Sequence, residues 1–279
     1  MLVRLADVSP EAAALLRCAY ALPALGALAW WERRRFGPRP HVEHGVAVAA
    51  GALFAADLVL WHYTIAAVGA GLATVLGNLQ VVLVAFAAWA LLGERPSRRL
   101  LGAVPVVLAG VVLISGVLET GAYGSDPARG VLLGALTSVA YALFILLLRR
   151  TNADLRRPAG PLFDATLYST VACLGAGLVA GRDDLVPGWP AQGWLIVLAL
   201  SSQVLGWMLI SVSLPRVPAA VTSIVLLVQP VGAVLLAMVL LGEDPSALQL
   251  LGGLVVLTGV VGATVHRRSP RGEPEPAAA

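Results

Sequence analysis

Four polar side chains interrupt long apolar stretches of this chain at similar depths: Asp57, Gln80, Gln203 and Gln229. At about 1.5 Å of rise per helical residue, each lies roughly 15 Å from one end of its stretch, which is the middle of a bilayer. An ionised Asp57 at that depth is costly unless it is paired, hydrated or protonated. A carboxylate that binds and releases a proton is what gradient coupling requires. The alternative is a structural group that is hydrogen-bonded to a neighbouring helix.

Other polar and aromatic side chains are expected beside this midplane layer. Asn78 and Tyr141 lie close to it in the count of residues. Two tryptophans, Trp61 and Trp207, each follow a member of the layer by four residues and therefore share a helix face with it. These residues predict a polar ring with aromatic walls. Glutamine also bridges transmembrane helices without meeting a substrate, and aromatic side chains also serve as packing and interfacial residues.

Arg17 and His62 are expected nearer the outer surface, roughly 7.5 Å below it, where they would share a vestibule. For Arg17, snorkelling or helix pairing is favoured over substrate binding. For His62, an interfacial hydrogen-bonded histidine is favoured over a proton relay. The two cysteines share no metal-ligand or redox spacing, and no motif points to a metal, a cofactor or a catalytic residue.

The composition places these residues in a membrane. Of the 279 residues, 58% are hydrophobic and 13% are charged, and the mean hydropathy is +0.85. This composition excludes a soluble protein and predicts an all-α integral membrane fold. About nine apolar runs have the length of a bilayer-spanning helix. We number them the second to the tenth span: 12–30, 45–67, 70–92, 100–118, 130–148, 162–180, 193–214, 219–241 and 247–265.

All 19 basic residues are arginines, and their positions predict the orientation of the chain. If the spans alternate, five arginine clusters fall on one side, within residues 33–39, 95–99, 149–157, 216 and 267–271. By the positive-inside rule this side is the cytoplasm, as expected for a multi-pass protein of the bacterial inner (cell) membrane with a cytoplasmic C-terminus. The pI near 9.2 then indicates contact with anionic lipid rather than with nucleic acid.

The chain contains an internal duplication. Residues 68–96 resemble residues 217–245, and three residues recur 149 positions later: Gln80 as Gln229, Glu94 as Glu243 and Pro96 as Pro245. The first copy ends in the cytoplasm and the second ends outside, so the two copies are inverted. We interpret the repeated glutamates, with a proline two residues later and Ser97 or Ser246 next, as turn and helix-start residues. Five spans per repeat leave the first repeat one helix short, and we expect a missing first helix before residue 12.

The duplicated Ala-x9-Gln-x10-Leu-Leu-Gly-Glu-x-Pro pattern, the arginine early in the second span and the glycine-rich last span resemble the EamA family of the drug/metabolite transporter (DMT) superfamily. The resemblance implies a ten-helix fold of two inverted five-helix repeats around a central cavity. The first EamA repeat would occupy 1–118, with its first helix truncated, and an outer loop would occupy 119–129. The second EamA repeat would occupy 130–265, before a disordered cytoplasmic tail at 266–279.

The family commonly has proline where the first copy has Val81, whereas the second copy keeps it at Pro230. A break in the helix at this level is therefore expected to be clear in the second repeat and weak in the first.

Three classes of function remain, and a secondary active carrier is favoured. The resemblance implies a proton- or gradient-coupled exporter of small metabolites, amino acids or drugs that works by alternating access, and an uptake permease would use the same parts. An enzyme acting on lipid would need acidic or histidine clusters at an interface, and a channel would need charged rings or filter carbonyls. We therefore predict no enzymatic activity, and as partners a small-molecule substrate and the lipid bilayer.

The oligomeric state is left open by the sequence. Four glycines of the last span suit close packing either within the bundle or between subunits: Gly252, Gly253, Gly259 and Gly262.

Overall fold

A computed structural model of the protein describes residues 2–39, 44–80, 82–83, 86, 89–90, 93, 96–116, 118–151, 156–182, 184–213 and 219–264. Within these ranges every regular element is helical. Besides helical residues within 80–90, ten α-helices follow one another there: α1 Leu2–Ala6, α2 Pro10–Phe36, α3 His44–Gly77, α4 Arg98–Ile114, α5 Pro127–Thr151, α6 Ala159–Val179, α7 Ala191–Leu198, α8 Trp207–Ser213, α9 Ala219–Leu241 and α10 Ala247–Thr264. A π-helical segment, Ala199–Gly206, joins α7 to α8.

The predicted all-α membrane fold is confirmed. Five helical stretches among the described residues are long and apolar enough to cross a bilayer: Pro10–Phe36, His44–Gly77, Pro127–Leu148, Ala159–Val179 and Ala191–Ile210. Shorter apolar helices cover Gln229–Leu241 and Ala247–Ala263. The predicted tail at 266–279 lies outside the described residues.

We name the two ends of the bundle after the orientation that the arginines predict. The outer end carries the turn between α1 and α2, and the cytoplasmic end carries the turn after Phe36. At the outer end, the Ser9 hydroxyl accepts the Ala12 N–H at 3.3 Å and so begins α2. At the cytoplasmic end, α2 extends past the predicted residue 30 to Phe36, because its last turn is arginine-rich and favourably placed against the helix dipole.

The third span and the start of the fourth are joined directly at the outer end. Within α3, two helical segments meet at Gly69, whose φ of +83° and ψ of 168° lie outside helical geometry. This φ suits glycine, which has no Cβ to clash with the backbone. The 34 residues of α3 are therefore two segments from two spans rather than one long helix.

The predicted position of the helix break is wrong. In the second repeat, α9 continues from Ala219 to Leu241 through Pro230. In the first repeat, α3 ends at Gly77 and the next two residues form a turn. Val81, on which the expectation was based, lies outside the described residues.

Asn78 explains the break in the first repeat. Its side-chain Nδ2 donates to the Thr74 carbonyl at 2.8 Å, and this carbonyl is the acceptor that the Asn78 backbone N–H would use in an α-helix. The backbone N–H donates instead to the Val75 carbonyl at 3.0 Å, which tightens the turn. A local side-chain amide has thus replaced a helical hydrogen bond.

The two repeats share their turn geometry where the structure describes both. Gly93 and Gly242, 149 residues apart, both have positive φ, +72° and +65°. The equivalent serines that follow both begin helices: the Ser97 hydroxyl accepts the Leu100 N–H at 3.2 Å, and the Ser246 hydroxyl accepts the Gln249 N–H at 3.1 Å. The helix-start interpretation therefore holds for the serines of the repeated motif.

Buried apolar side chains form two main groups. One group comes from α2, the first segment of α3, α5, α6 and the π-helical segment. The other comes mainly from the second segment of α3 together with α4 and α10, and half-buried side chains of α9 pack against it. Large apolar side chains also cover the outside of the bundle, as expected where lipid is the solvent.

The glycines of the last span pack within the bundle at the two positions of closest approach. A Cβ added at Gly252 would lie 2.7 Å from the Gly110 carbonyl oxygen, and one at Gly259 would lie 2.6 Å from the Val107 side chain. A Cβ at Gly253 would make an ordinary 3.7 Å contact, and one at Gly262 would meet nothing within 4 Å. Small residues at 252 and 259 therefore let α10 approach α4 closely.

Candidate functional site

A buried hydrogen-bond network joins three helical elements in the middle of the bundle. The Arg17 Nε on α2 donates to the Gln203 Oε1 at 3.2 Å, and its Nη2 donates to the Ser202 hydroxyl at 3.1 Å. The Gln203 Nε2 in turn donates to the Thr166 hydroxyl of α6 at 3.3 Å. Gln203 is fully buried, so its amide depends on these partners. We call Arg17, Thr166, Ser202 and Gln203 the central network.

The π-helical segment presents two neighbouring residues to one guanidinium. Ser202 and Gln203 are adjacent in the sequence, and both lie inside Ala199–Gly206. π-helical turns are rare and are frequent at functional sites. Sequence reasoning identified Gln203 but missed Ser202 and Thr166, because single hydroxyls in apolar helices usually bond their own backbone.

Asp57 lies beside the central network without an ion pair to it. Its side chain is 7% exposed, and its charge and that of Arg17 act on each other. The ion pairs found among the described residues do not include Asp57. Two of the Arg17 N–H groups are bonded to neutral oxygens. Because no ion pair joins Arg17 to Asp57 among the described residues, the Asp57 carboxylate can change its protonation without breaking a direct salt bridge.

Four aromatic rings pack together next to Asp57. Phe54 stacks on Phe144 with ring centroids 4.4 Å apart and an interplanar angle of 11°. Trp207 meets both phenylalanines edge-on, at 5.7 and 5.5 Å, and lies 6.1 Å from Tyr141. Phe54 precedes Asp57 by three residues on α3, so the aromatic cluster lies on the helix face that carries the carboxylate.

The two phenylalanines of the aromatic cluster were missed by sequence reasoning, which considered polar groups and their immediate aromatic neighbours. Their spacing from two predicted site residues could have identified them. Phe54 precedes Asp57 by three residues and Phe144 follows Tyr141 by three, which places each on the face of a residue already identified.

Other predicted site residues do not join this group. A Cβ at Gly77 would lie 2.9 Å from the Trp61 ring, so Trp61 packs against the second segment of α3. Asn78 bonds the helix backbone, as described above. The Gln229 side chain is exposed on α9, and Gln80 is half-buried just beyond the turn at Asn78.

His62 is deeply buried at the outer end. Its side chain is 2% exposed, and neither ring nitrogen has a hydrogen-bond partner among the described residues. It lines a cavity of about 390 Å³ together with Arg4, Asp7 and the end of α9 at Leu241. The charge of Arg17 reaches His62, although the Arg17 side chain itself points to Gln203. The structure therefore directs Arg17 towards the midplane rather than into a vestibule shared with His62.

A buried glutamate ties the two repeats together at the outer end. The Glu243 carboxylate is 2% exposed and accepts the backbone N–H groups of Ala70 at 2.6 Å and Gly71 at 3.0 Å. The Glu243 carboxylate thus caps the start of a helical segment more than 170 residues earlier in the chain, rather than the helix that follows it. Its equivalent, Glu94, lies outside the described residues.

A second contact at the outer end involves the loop after α6. Arg182 Nε lies 3.3 Å from the Glu11 carboxylate, and Glu11 also accepts a hydrogen bond from the Tyr63 phenol. The hydrogen bond to Tyr63 and the charge of Glu11 raise the pKa of Arg182 above its usual value, so it stays cationic.

The cytoplasmic end is held by similar contacts around a cavity of about 450 Å³. Glu32 accepts the N–H groups of Ala159 at 2.9 Å and Gly160 at 3.1 Å, at the start of α6. Arg39 forms an ion pair with Asp164 at 2.6 Å. These contacts join the α2 end to the α6 start.

Neither metal-ligand clusters nor disulfides are found within the described ranges. No group of three or more His, Cys, Asp or Glu side chains is arranged there to hold a metal ion. The two cysteines are free and buried, and the Cys18 sulfur lies 3.5 Å from the Ser169 hydroxyl.

Comparison with known proteins identifies one family and one fold. The EamA-like transporter family matches residues 1–116 and 128–265. A solved crystal structure superposes with a TM-score of 0.61 at 17% sequence identity, over 94% of this chain and 90% of that chain. At this identity the likeness concerns the fold alone. No curated protein matches the sequence.

Proposed function

The chain belongs to the EamA-like transporter family, part of the DMT superfamily of membrane transporters, and we propose that it is a secondary active transporter that works by alternating access. The inverted sequence repeat supports this proposal, because such repeats build carriers whose two halves exchange conformations around a central site. The proposed direction is export, and the proposed substrates are small metabolites, amino acids or drugs.

Asp57 beside the central network is the observation that carries the proposal. The carboxylate is buried, and Arg17 is held by neutral oxygens rather than by the carboxylate. Protonation of Asp57 would leave the Arg17 charge uncompensated, and deprotonation would restore the balance. Each step changes the electrostatic energy of the buried site, and this change is what couples a proton to a conformational equilibrium.

The chemistry around Asp57 supports a modest organic solute. The aromatic cluster offers ring faces for an apolar or cationic group, and the central network offers amide and hydroxyl partners. Arg17 is the only cationic side chain of the central network, which disfavours sugar phosphates and nucleotide sugars, since these call for several cationic side chains.

Solute flux in proteoliposomes tests the proposal. A panel of amino acids and cationic drugs is loaded on one side, and flux is followed with and without an imposed pH gradient. The wild-type chain is expected to move at least one solute faster with the gradient. Asp57→Asn is expected to lose gradient-driven flux while keeping solute exchange, because exchange needs binding but no net proton transfer.

Asp126→Asn is the matched control, because it makes the same chemical change at an exposed carboxylate. The remaining amide oxygen can still accept the Arg129 N–H that Asp126 accepts at 3.0 Å. Full gradient-driven flux in Asp57→Asn would contradict the proposal that Asp57 couples proton movement to transport. Absence of any flux across the panel would overturn the proposal that the protein is a carrier. The side from which the gradient accelerates flux distinguishes an exporter from the uptake permease.

The protein is a multi-pass membrane protein, and we propose the bacterial inner membrane with the C-terminus in the cytoplasm. The side-specific placement of the arginine clusters supports this orientation. A reporter that is active only in the cytoplasm, fused to the C-terminus, is expected to be active, and an inactive reporter with protein in the membrane would reverse the topology.

A further inference from the structure

We propose that Glu243 is the latch of an outer gate, which closes the outer side by holding the start of the fourth span against the end of α9. The outer latch consists of Glu243, Ala70 and Gly71. This inference rests on the proposed transport function, because a gate has a role only in a carrier with two access states.

Both carboxylate oxygens of Glu243 are used in the latch. Each carboxylate oxygen of Glu243 accepts one backbone N–H, Oε1 from Ala70 at 2.6 Å and Oε2 from Gly71 at 3.0 Å. Because the kink at Gly69 ends the preceding helical segment, Ala70 and Gly71 begin a new one, and their N–H groups have no partner within it. A buried anion at a helix N-terminus also meets the positive end of the helix dipole.

The backbone around the latch leaves no room for larger side chains. A Cβ at Gly69 would lie 2.6 Å from the Glu243 carboxylate. A Cβ at Gly71 would lie 3.0 Å from Val234 Cα and 3.3 Å from Ala237 Cβ. The latch therefore sits at the outer edge of a close contact between the fourth span and α9, and both parts of this contact must separate together.

The latch differs from an ordinary helix cap because its acceptor comes from the other repeat. An ordinary capping residue precedes its own helix and stays with it in every conformation. Glu243 follows α9, so its two hydrogen bonds exist only while α9 and the fourth span are together at the outer end. When they separate, water can solvate the carboxylate and the N–H groups, so opening is reversible.

The inverted repeat supplies a control residue for the latch. Glu94, outside the described residues, is the sequence equivalent of Glu243, and it belongs to the copy that is predicted to end on the cytoplasmic side.

Labelling of a buried cysteine tests the latch without any substrate. Ala237→Cys is a small change at the contact between α9 and the fourth span, where Ala237 is 1% exposed. A membrane-impermeant maleimide is applied from the outside to right-side-out vesicles, and the rate of labelling is measured. Protein without Ala237→Cys is the blank, because Cys18 and Cys173 are buried.

Glu243→Gln in this background is expected to raise the labelling rate about tenfold or more, because the two charge-assisted hydrogen bonds are lost. Glu243→Asp keeps the charge with a shorter reach and is expected to give an intermediate rate. Glu94→Gln is the matched control, since it makes the same change at the equivalent residue. It is expected to leave the outer labelling rate unchanged.

An unchanged labelling rate in Glu243→Gln, or an equal rise in both glutamine variants, would overturn the latch. The second result would indicate general loosening of the fold. The labelling result is independent of transport. A rise in labelling rate confined to Glu243→Gln supports the gate even where the solute panel shows no flux. Gradient-driven flux with an unchanged labelling rate supports the carrier proposal and overturns the latch proposal.

Discussion

The contact between α4 and α10 allows a matched pair of substitutions on one helix. Gly252 and Gly262 both lie on α10. A Cβ at Gly252 would lie 2.7 Å from the Gly110 carbonyl oxygen and 2.8 Å from Leu113 Cβ, whereas one at Gly262 would meet nothing within 4 Å. A comparison of the two alanine variants therefore isolates the free-energy cost of crowding, because the preference of a helix for alanine over glycine is common to both.

The magnitudes follow from these distances. Alanine is favoured over glycine in a helix by about 1 kcal/mol, and this gain is common to both variants. At Gly252, the two helices must also move apart by roughly 0.7 Å to restore an ordinary contact, and overpacking of this kind costs about 1 to 3 kcal/mol. We expect the two variants to differ by about 2 kcal/mol, with Gly252→Ala the less stable, or ~4 to 8 °C in unfolding midpoint.

Thermal unfolding of the purified protein in detergent measures this difference. Gly262→Ala is expected to match or exceed the wild-type midpoint, and Gly252→Ala to fall below it. Equal midpoints for the two variants would refute the close approach of α4 and α10. A lower midpoint that depends on protein concentration would place Gly252 between subunits instead.

Three further predictions use the same unfolding measurement. Gly69→Ala is expected to lower the midpoint more than Gly181→Ala. The φ of +83° and ψ of 168° at Gly69 lie in a backbone region that is almost confined to glycine and costs other residues about 1 to 3 kcal/mol. The new Cβ there would also meet the buried Glu243 carboxylate, whereas a Cβ at Gly181 would meet nothing within 4 Å, so equal shifts would contradict this prediction. Ser246→Ala is expected to cost about 1 kcal/mol through the lost helix cap. Ser246→Thr is expected to retain most of the stability, because its hydroxyl can still accept the Gln249 N–H and donate to the Glu119 carboxylate, and no loss in the alanine variant would contradict the cap. Phe144→Ala is expected to cost about 3 to 5 kcal/mol, since the fully buried ring stacks on Phe54, and a cost below about 1 kcal/mol would show that the aromatic cluster is loosely packed.

Sequence reasoning found individual members of the candidate site more readily than their contacts. Arg17 and Gln203 were both identified, but the hydrogen bond between them spans 186 residues and no local pattern encodes it. Glu243 was identified through its repetition and interpreted as a local turn residue. Its partners, the N–H groups of Ala70 and Gly71, are backbone groups and carry no signal in the sequence.

The helix break shows how a local rule fails in context. Proline was expected to break α9, yet the helix continues through Pro230. The break lies in the first repeat, where the Asn78 amide takes the Thr74 carbonyl. Proline removes one backbone donor, and neighbouring groups in a packed bundle can accommodate that loss. An amide that competes for the acceptor instead changes the hydrogen-bond pattern itself.

The sequence by itself determined the membrane location, the helical class and the family of this chain. It could do so because a bilayer leaves a buried backbone few options: helices satisfy their own hydrogen bonds, and the thickness of the bilayer sets their length. The tertiary structure alone decided which side chains meet. The position of a residue along a span gives its depth, but the rotation of each helix is set by packing against its neighbours. Trp61 and Trp207 were predicted alike from their spacing, yet Trp61 packs against Gly77 while Trp207 enters the aromatic cluster beside Asp57.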